Sequence, residues 1–164
     1  MRGKMEKKIM KHDVLMKEAI ELSIRNAEND GGPFGAVITR NGEIVSKSVN
    51  RVTKDNDPTA HAEILAIREA AKQLKTFDLS GCIIYCSCEP CPMCLGAIYW
   101  ARIDRIYYAC NRSDAKKYGF DDEYLYKEIN LPIGQREISS SQLLRKEALE
   151  AFEKWGKNEN KTSY

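Results

Sequence analysis

The chain has 164 residues, 43% of them hydrophobic and 30% charged, with a formal net charge of +2. That length suits one domain with a sizeable core, and no apolar run approaches the roughly 20 residues of a membrane-spanning helix. So small a charge argues against a nucleic-acid channel, and six cysteines gathered between Cys82 and Cys110 fit a reduced, cytoplasmic protein better than a disulfide framework.

Five of the first eleven residues are Lys or Arg. Residues 1–10 therefore read as a basic, solvated extension that lacks the apolar run of a secretory signal. Residues 13–28 carry Val14, Leu15, Ala19, Ile20, Leu22 and Ile24 near a helical period, with Asp13 available as N-cap. Gly31-Gly32-Pro33-Phe34-Gly35 ends that helix and opens a strand at 36–39, which the Asn41-Gly42 turn joins to a second at 43–48. The glycines serve as turn residues, or they let a ring-shaped ligand approach the backbone with Phe34 lining the pocket. Asn50 is a turn asparagine, or an amide able to read a base edge.

Asp57-Pro58-Thr59 introduces a helix at 60–74, with His61 and Glu63 in its first turns, where unpaired N–H groups concentrate positive potential. Residues 82–88 are a β-rich run, and Glu89-Pro90 leads into a helix at 91–101 that places Cys91 and Cys94 on one face of its N-terminus. A strand at 104–110 follows, and the strand–helix–strand order predicts a parallel portion in a mixed sheet. Residues 113–129 form a charged helix or loop, 136–140 a last strand, and 143–155 an amphipathic helix ended by Gly156. Residues 11–156 thus make up the folded domain, and 157–164 a polar tail.

The chemistry concentrates in His61-Ala62-Glu63 and Pro90-Cys91-Pro92-Met93-Cys94. A catalytic zinc takes three protein ligands and keeps a fourth position open, and two thiolates with an imidazole suit the ion. His61, Cys91 and Cys94 supply that set for one Zn2+, and Glu63 is left to carry protons. An isolated Cys-x-x-Cys is equally a redox pair, a structural knuckle or two core cysteines. A closed four-thiolate site of Cys86, Cys88, Cys91 and Cys94 is the sharper rival, but it leaves His61 and Glu63 without a role. His-x-Glu with Pro-Cys-x-x-Cys is the general pattern of zinc-dependent nucleobase deaminases.

The stretches 56–63, 87–102 and Gly119-Phe120-Asp121-Asp122 resemble bacterial guanine deaminases of the cytidine-deaminase-like superfamily. The resemblance implies a three-layer α/β/α sandwich with a five-stranded mixed sheet and zinc-dependent hydrolysis of guanine to xanthine and ammonia. It implies catalytic roles for Glu63 and Asp122, and base contacts from Asn50, the Ala62 backbone N–H, Phe34 and Trp100. It also implies a domain-swapped homodimer in which Tyr164 of the C-terminal tail closes the partner's site. The zinc pattern alone is shared by cytosine, cytidine and tRNA adenosine deaminases, and a pocket admitting ribose would take guanosine. An editor of tRNA needs a basic surface, whereas residues 143–164 hold Glu147, Glu150, Glu153 and Glu159 against a comparable number of Lys and Arg.

Overall fold

A computed structural model describes residues 11–164, so the expected basic extension 1–10 lies outside the described residues. Helix α1 (His12–Glu28) buries Leu15, Ala19 and Ser23, one residue per turn along a single stripe. Its N-cap is Lys11 without a side-chain bond, and Asp13 sits in the first turn instead. Strands β1 (Gly35–Arg40) and β2 (Glu43–Val49) pair antiparallel across Asn41-Gly42. Both turn residues have positive φ, 53° and 76°, as a tight two-residue hairpin requires. A single-turn helix α2 (Val52–Asp55) precedes α3 (Ala62–Leu74). Next come β3 (Cys82–Cys88), α4 (Pro92–Trp100) and β4 (Arg105–Cys110), followed by α5 (Arg112–Lys117) and α6 (Asp122–Asn130).

The sheet has the order β2-β1-β3-β4, antiparallel between β1 and β3 and parallel between β3 and β4. Alternation along the strands builds the two cores. Ala36, Ile38, Ile84 and Cys86 face Ala62, Ala66 and Ala70 of α3 and Ile98 of α4, while Val37 and Tyr85 face Leu15 and Ala19 of α1. Small side chains on α3 let its axis lie close to the sheet, and β1 is buried over all but its last residue. The layers are therefore α/β/α as expected, around four strands and not five among the described residues.

The chain divides into two compact units, the second being Tyr124–Tyr164. There the expected strand at 136–140 is absent, which removes the fifth strand. Arg136 instead donates from Nε to the Leu131 carbonyl and from Nη2 to the Ile129 carbonyl, both at 3.1 Å, closing the end of α6. The segment offers one aliphatic side chain, Ile138, which is 82% exposed, so no apolar face recruits it to a sheet. A short 3-10 turn (Ile133–Gln135) precedes it. Helix α7 (Arg145–Lys157) runs past Gly156, and its apolar residues Phe152 and Trp155 are exposed. No helix among the described residues is long and apolar enough to cross a membrane.

Candidate metal centre and active site

Two chain reversals deliver the ligands. Before α3, Asp57 Oδ1 accepts from the Thr59 N–H at 2.8 Å and the Thr59 carbonyl accepts from the His61 N–H at 2.8 Å, leaving His61 extended as the N-cap of α3. At the end of β3, the Glu89 N–H donates to the Cys110 carbonyl at 2.8 Å, and Cys91 becomes the N-cap of α4 with Pro92 at its first position. Two helix N-termini converge there, each adding positive potential where thiolates and a carboxylate gather.

His61, Cys91 and Cys94 present one donor atom each, all within 4.8 Å of one another. His61 Nδ1 lies 3.6 Å from Cys91 Sγ and 3.5 Å from Cys94 Sγ. With Zn–S of about 2.3 Å and Zn–N of about 2.1 Å, a tetrahedral ion demands N···S edges of about 3.6 Å, so the geometry and chemistry of this set fit zinc. Cys94 is fully buried behind the set, whereas His61 and Cys91 line a cavity of about 450 Å³. Cys86 is enclosed in the core and Cys88 Sγ reaches the Asn111 carbonyl at 3.8 Å, so the four-thiolate alternative does not form.

Electrostatics within the chain favour one thiolate. The hydrogen bond from Cys94, followed by that of His61, holds the Cys91 thiol down to about 4, while the same bond to Cys91 and burial push Cys94 up. The bond with Cys91 also raises His61. Glu63, second residue of α3 and 6% exposed, has its carboxyl pushed up to about 7 by burial. A group so placed takes and returns a proton near neutral pH.

The cavity collects Phe34, Asn50, Glu63 and Asp122 from four different elements or loops. Asn50 leaves β2 with its N–H on the Phe34 carbonyl at 3.1 Å, and its Oδ1 accepts from the Val52 N–H at 3.2 Å. Asp122 opens α6, and burial, then the negative Cys91, raise its carboxyl. Ala62 is the first residue of α3; its methyl joins the core, and its N–H lies in the turn that has no partner within the helix. Trp100 ends α4, 71% exposed and outside the cavity lining. It stands nine positions along the helix from Cys91, about 14 Å of axial rise. Phe34 has Phe120 beside it instead, edge-on at 4.8 Å between ring centres. Tyr164 belongs to the second unit, 73% exposed, with its ring 6.3 Å from that of Trp155.

Sequence reasoning gave no role to Phe120, Glu89 or Asn26. Glu89 lines the cavity and accepts from Arg112 Nη2 at 2.7 Å and from the Arg112 N–H at 3.0 Å, tying the Cys91 loop to the start of α5. Lys116 of α5 in turn bonds Glu123 at 2.9 Å, beside Asp122. The available signal was position alone: Glu89 immediately precedes Pro90-Cys91, and Phe120 lies two residues from Asp122.

The α/β/α layers, the two opposed helix N-termini and the His-Cys-Cys set beside a buried glutamate define a zinc-dependent hydrolytic deaminase. The chain belongs to the cytidine and deoxycytidylate deaminase zinc-binding family, whose model matches residues 9–110. Within it, the chain is 48% identical to the guanine deaminase of Bacillus subtilis, over 94% of this chain and 100% of that protein. The crystal structure of the Bacillus subtilis guanine deaminase superposes with a TM-score of 0.91, covering 94% of this chain and 99% of that one. A tRNA-specific adenosine deaminase of Aquifex aeolicus is 42% identical, over 61% of this chain and 66% of that protein.

Proposed function

We propose that the chain hydrolyses guanine to xanthine and ammonia. The observation that carries this reading is the near full-length likeness to a guanine deaminase, 48% identical over 94% of the chain, which extends past the zinc-binding region into the segment bearing Phe120 and Asp122; the tRNA-specific adenosine deaminases are less alike, 42% identical over 61% of the chain or 34% over 87%.

His61, Cys91 and Cys94 would hold the metal, and Asn50, Phe34 and Asp122 would hold the base. A zinc ion in this set supplies Lewis-acid activation of one water molecule. The Glu63 carboxylate is placed to take the proton that an attacking water loses as the C2–O bond forms, and to pass a proton to the exocyclic nitrogen as the C2–N bond breaks and ammonia leaves. The raised affinity of Glu63 for a proton suits both halves of that exchange. Asp122 accepts from the departing amino group, and its raised carboxyl lets it carry a proton on the leaving side. With Oδ1 engaged by Val52, Asn50 offers its amide nitrogen to a ring acceptor, and the Ala62 N–H is a further donor. The Phe34 ring walls the base.

The working form is a homodimer in which the second unit is exchanged, so that Tyr164 closes the partner's site. Exposure of Leu144, Phe152 and Trp155 supports this, because it leaves on the second unit an apolar set that a second copy of the chain could cover. The six free cysteines support a reducing, cytoplasmic setting. The domain proper then spans residues 11–156, with 157–164 as the closing tail. Ammonia release by the purified zinc-loaded protein from guanine, guanosine, adenine and cytosine tests the reading. Guanine should be turned over at least tenfold faster than the others, and a preference for any of the other three overturns it.

A further inference from the structure

We infer that Asn26, outside the cavity and in no contact with the metal set, is a positioning residue for the base-binding wall that Asn50 provides. This inference rests on the assignment of Asn50 to base binding. Asn26 lies in the last turn of α1, and its single amide nitrogen donates to two carbonyls, those of Gly32 and Asn50, both at 2.8 Å. These acceptors belong to segments 18 residues apart in sequence, the entry to β1 and the exit from β2, and both residues line the cavity.

The two bonds close a ring of contacts. Gly32 accepts from the Phe34 N–H at 2.8 Å, Phe34 accepts from the Asn50 N–H at 3.1 Å, and Asn26 bridges the remaining gap between Gly32 and Asn50. The space around this ring is tight. A Cβ on Gly32 would stand 2.9 Å from Asn50 Oδ1, and one on Gly31 would stand 2.4 Å from Asn26 Nδ2. Position of the Asn50 side chain therefore follows from the distance between the two loops, and Asn26 sets that distance.

The chemistry of the residue is specific. Two carbonyls at bonding distance from one atom need a donor with two protons in a planar fork, which the asparagine amide supplies. A carboxylate of the same shape has no proton to give and would set an oxygen against both carbonyls. A glutamine would carry the amide one methylene too far. The turn function of Asn26 is separate, since its backbone carbonyl accepts from the Gly31 and Asn29 N–H groups at 2.8 and 3.1 Å whatever the side chain is.

The test is a double-mutant cycle on the zinc-loaded enzyme with Asn26→Asp, Asn50→Ala and the double variant, reading KM and kcat for guanine per bound zinc, with melting temperature in parallel. Asn26→Asp should raise KM about fivefold to tenfold, the effect of one mispaired buried contact, with zinc content unchanged. On the Asn50→Ala background it should add less than about twofold. A lower melting temperature with unchanged KM and kcat makes Asn26 a stability residue only, and multiplicative effects detach it from Asn50; either overturns the inference. If Asn50→Ala alone leaves guanine kinetics unaltered, the Asn50 assignment itself fails and the inference falls with it. Should Asn26→Asp not fold, Asn26→Ala takes its place in the cycle, beside Gly32→Ala, which pushes on Asn50 from the other side and should likewise lose its effect once Asn50 is alanine.

Discussion

Glu63→Gln separates the proton carrier from the metal site. Glu63 is 6% exposed and shares α3 with the His61 N-cap, so an amide of the same size keeps the packing and leaves Nδ1 and both Sγ donors in place. One zinc per chain is therefore expected in the variant as in the wild type. What the variant loses is general acid–base transfer at both stages, worth about 10²- to 10⁴-fold. That corresponds to about 3 to 5 kcal/mol of activation free energy. The amide also removes a carboxyl held at about 7 by burial, so folding of the metal-free chain at neutral pH should not suffer. The assay is steady-state ammonia release from guanine, with zinc by elemental analysis and thermal melting on the same preparation. A kcat within tenfold of wild type at full zinc occupancy would refute the assignment of Glu63, and loss of zinc with activity would mean the residue acts through the metal site.

Asp122→Asn should lower kcat/KM for guanine by at least about tenfold while melting temperature and zinc content stay put, because the side chain faces the cavity; an unaltered rate returns Asp122 to the role of a helix-starting acid. Asp78 gives a pH-dependent test of stability away from the site. Bonds first from Ser80 and then from Arg102 hold its carboxyl at about 2, below its ordinary 3.8, so its contribution is complete above that ordinary value and is lost as pH falls through about 2. The melting-temperature gap between wild type and Asp78→Asn should accordingly be present at pH 7 and close on acidification; a gap that widens toward pH 2 contradicts the sign. Exchange of the second unit predicts complementation: a Glu63→Ala chain mixed and refolded with a chain lacking residues 161–164 should regain activity in roughly a quarter of all sites. Mixing without rescue, when each parent is inactive, counts against the exchange.

The chemistry of this protein was legible in the sequence because its residues are fixed by short spacings. His61 and Glu63 are two apart, Cys91 and Cys94 three, and helix start signals such as Pro58 and Pro92 set both pairs at N-termini. The strand runs, the Asn41-Gly42 turn and the parallel β3–β4 pair follow from local patterning and connection length in the same way. Only the tertiary structure decided that His61 Nδ1 stands a tetrahedron's edge from both sulfurs, since that distance depends on how α3 and α4 pack against one sheet. It alone placed Phe120 edge-on to Phe34, tied Glu89 to Arg112 and set Trp100 away from the cavity in its own chain. The missing fifth strand has the same origin: residues 136–140 fold back on the end of α6 through Arg136, a contact between side chain and backbone that no periodicity encodes. Local spacing specifies which groups share a turn of helix, and contacts between segments distant in sequence specify what those groups face.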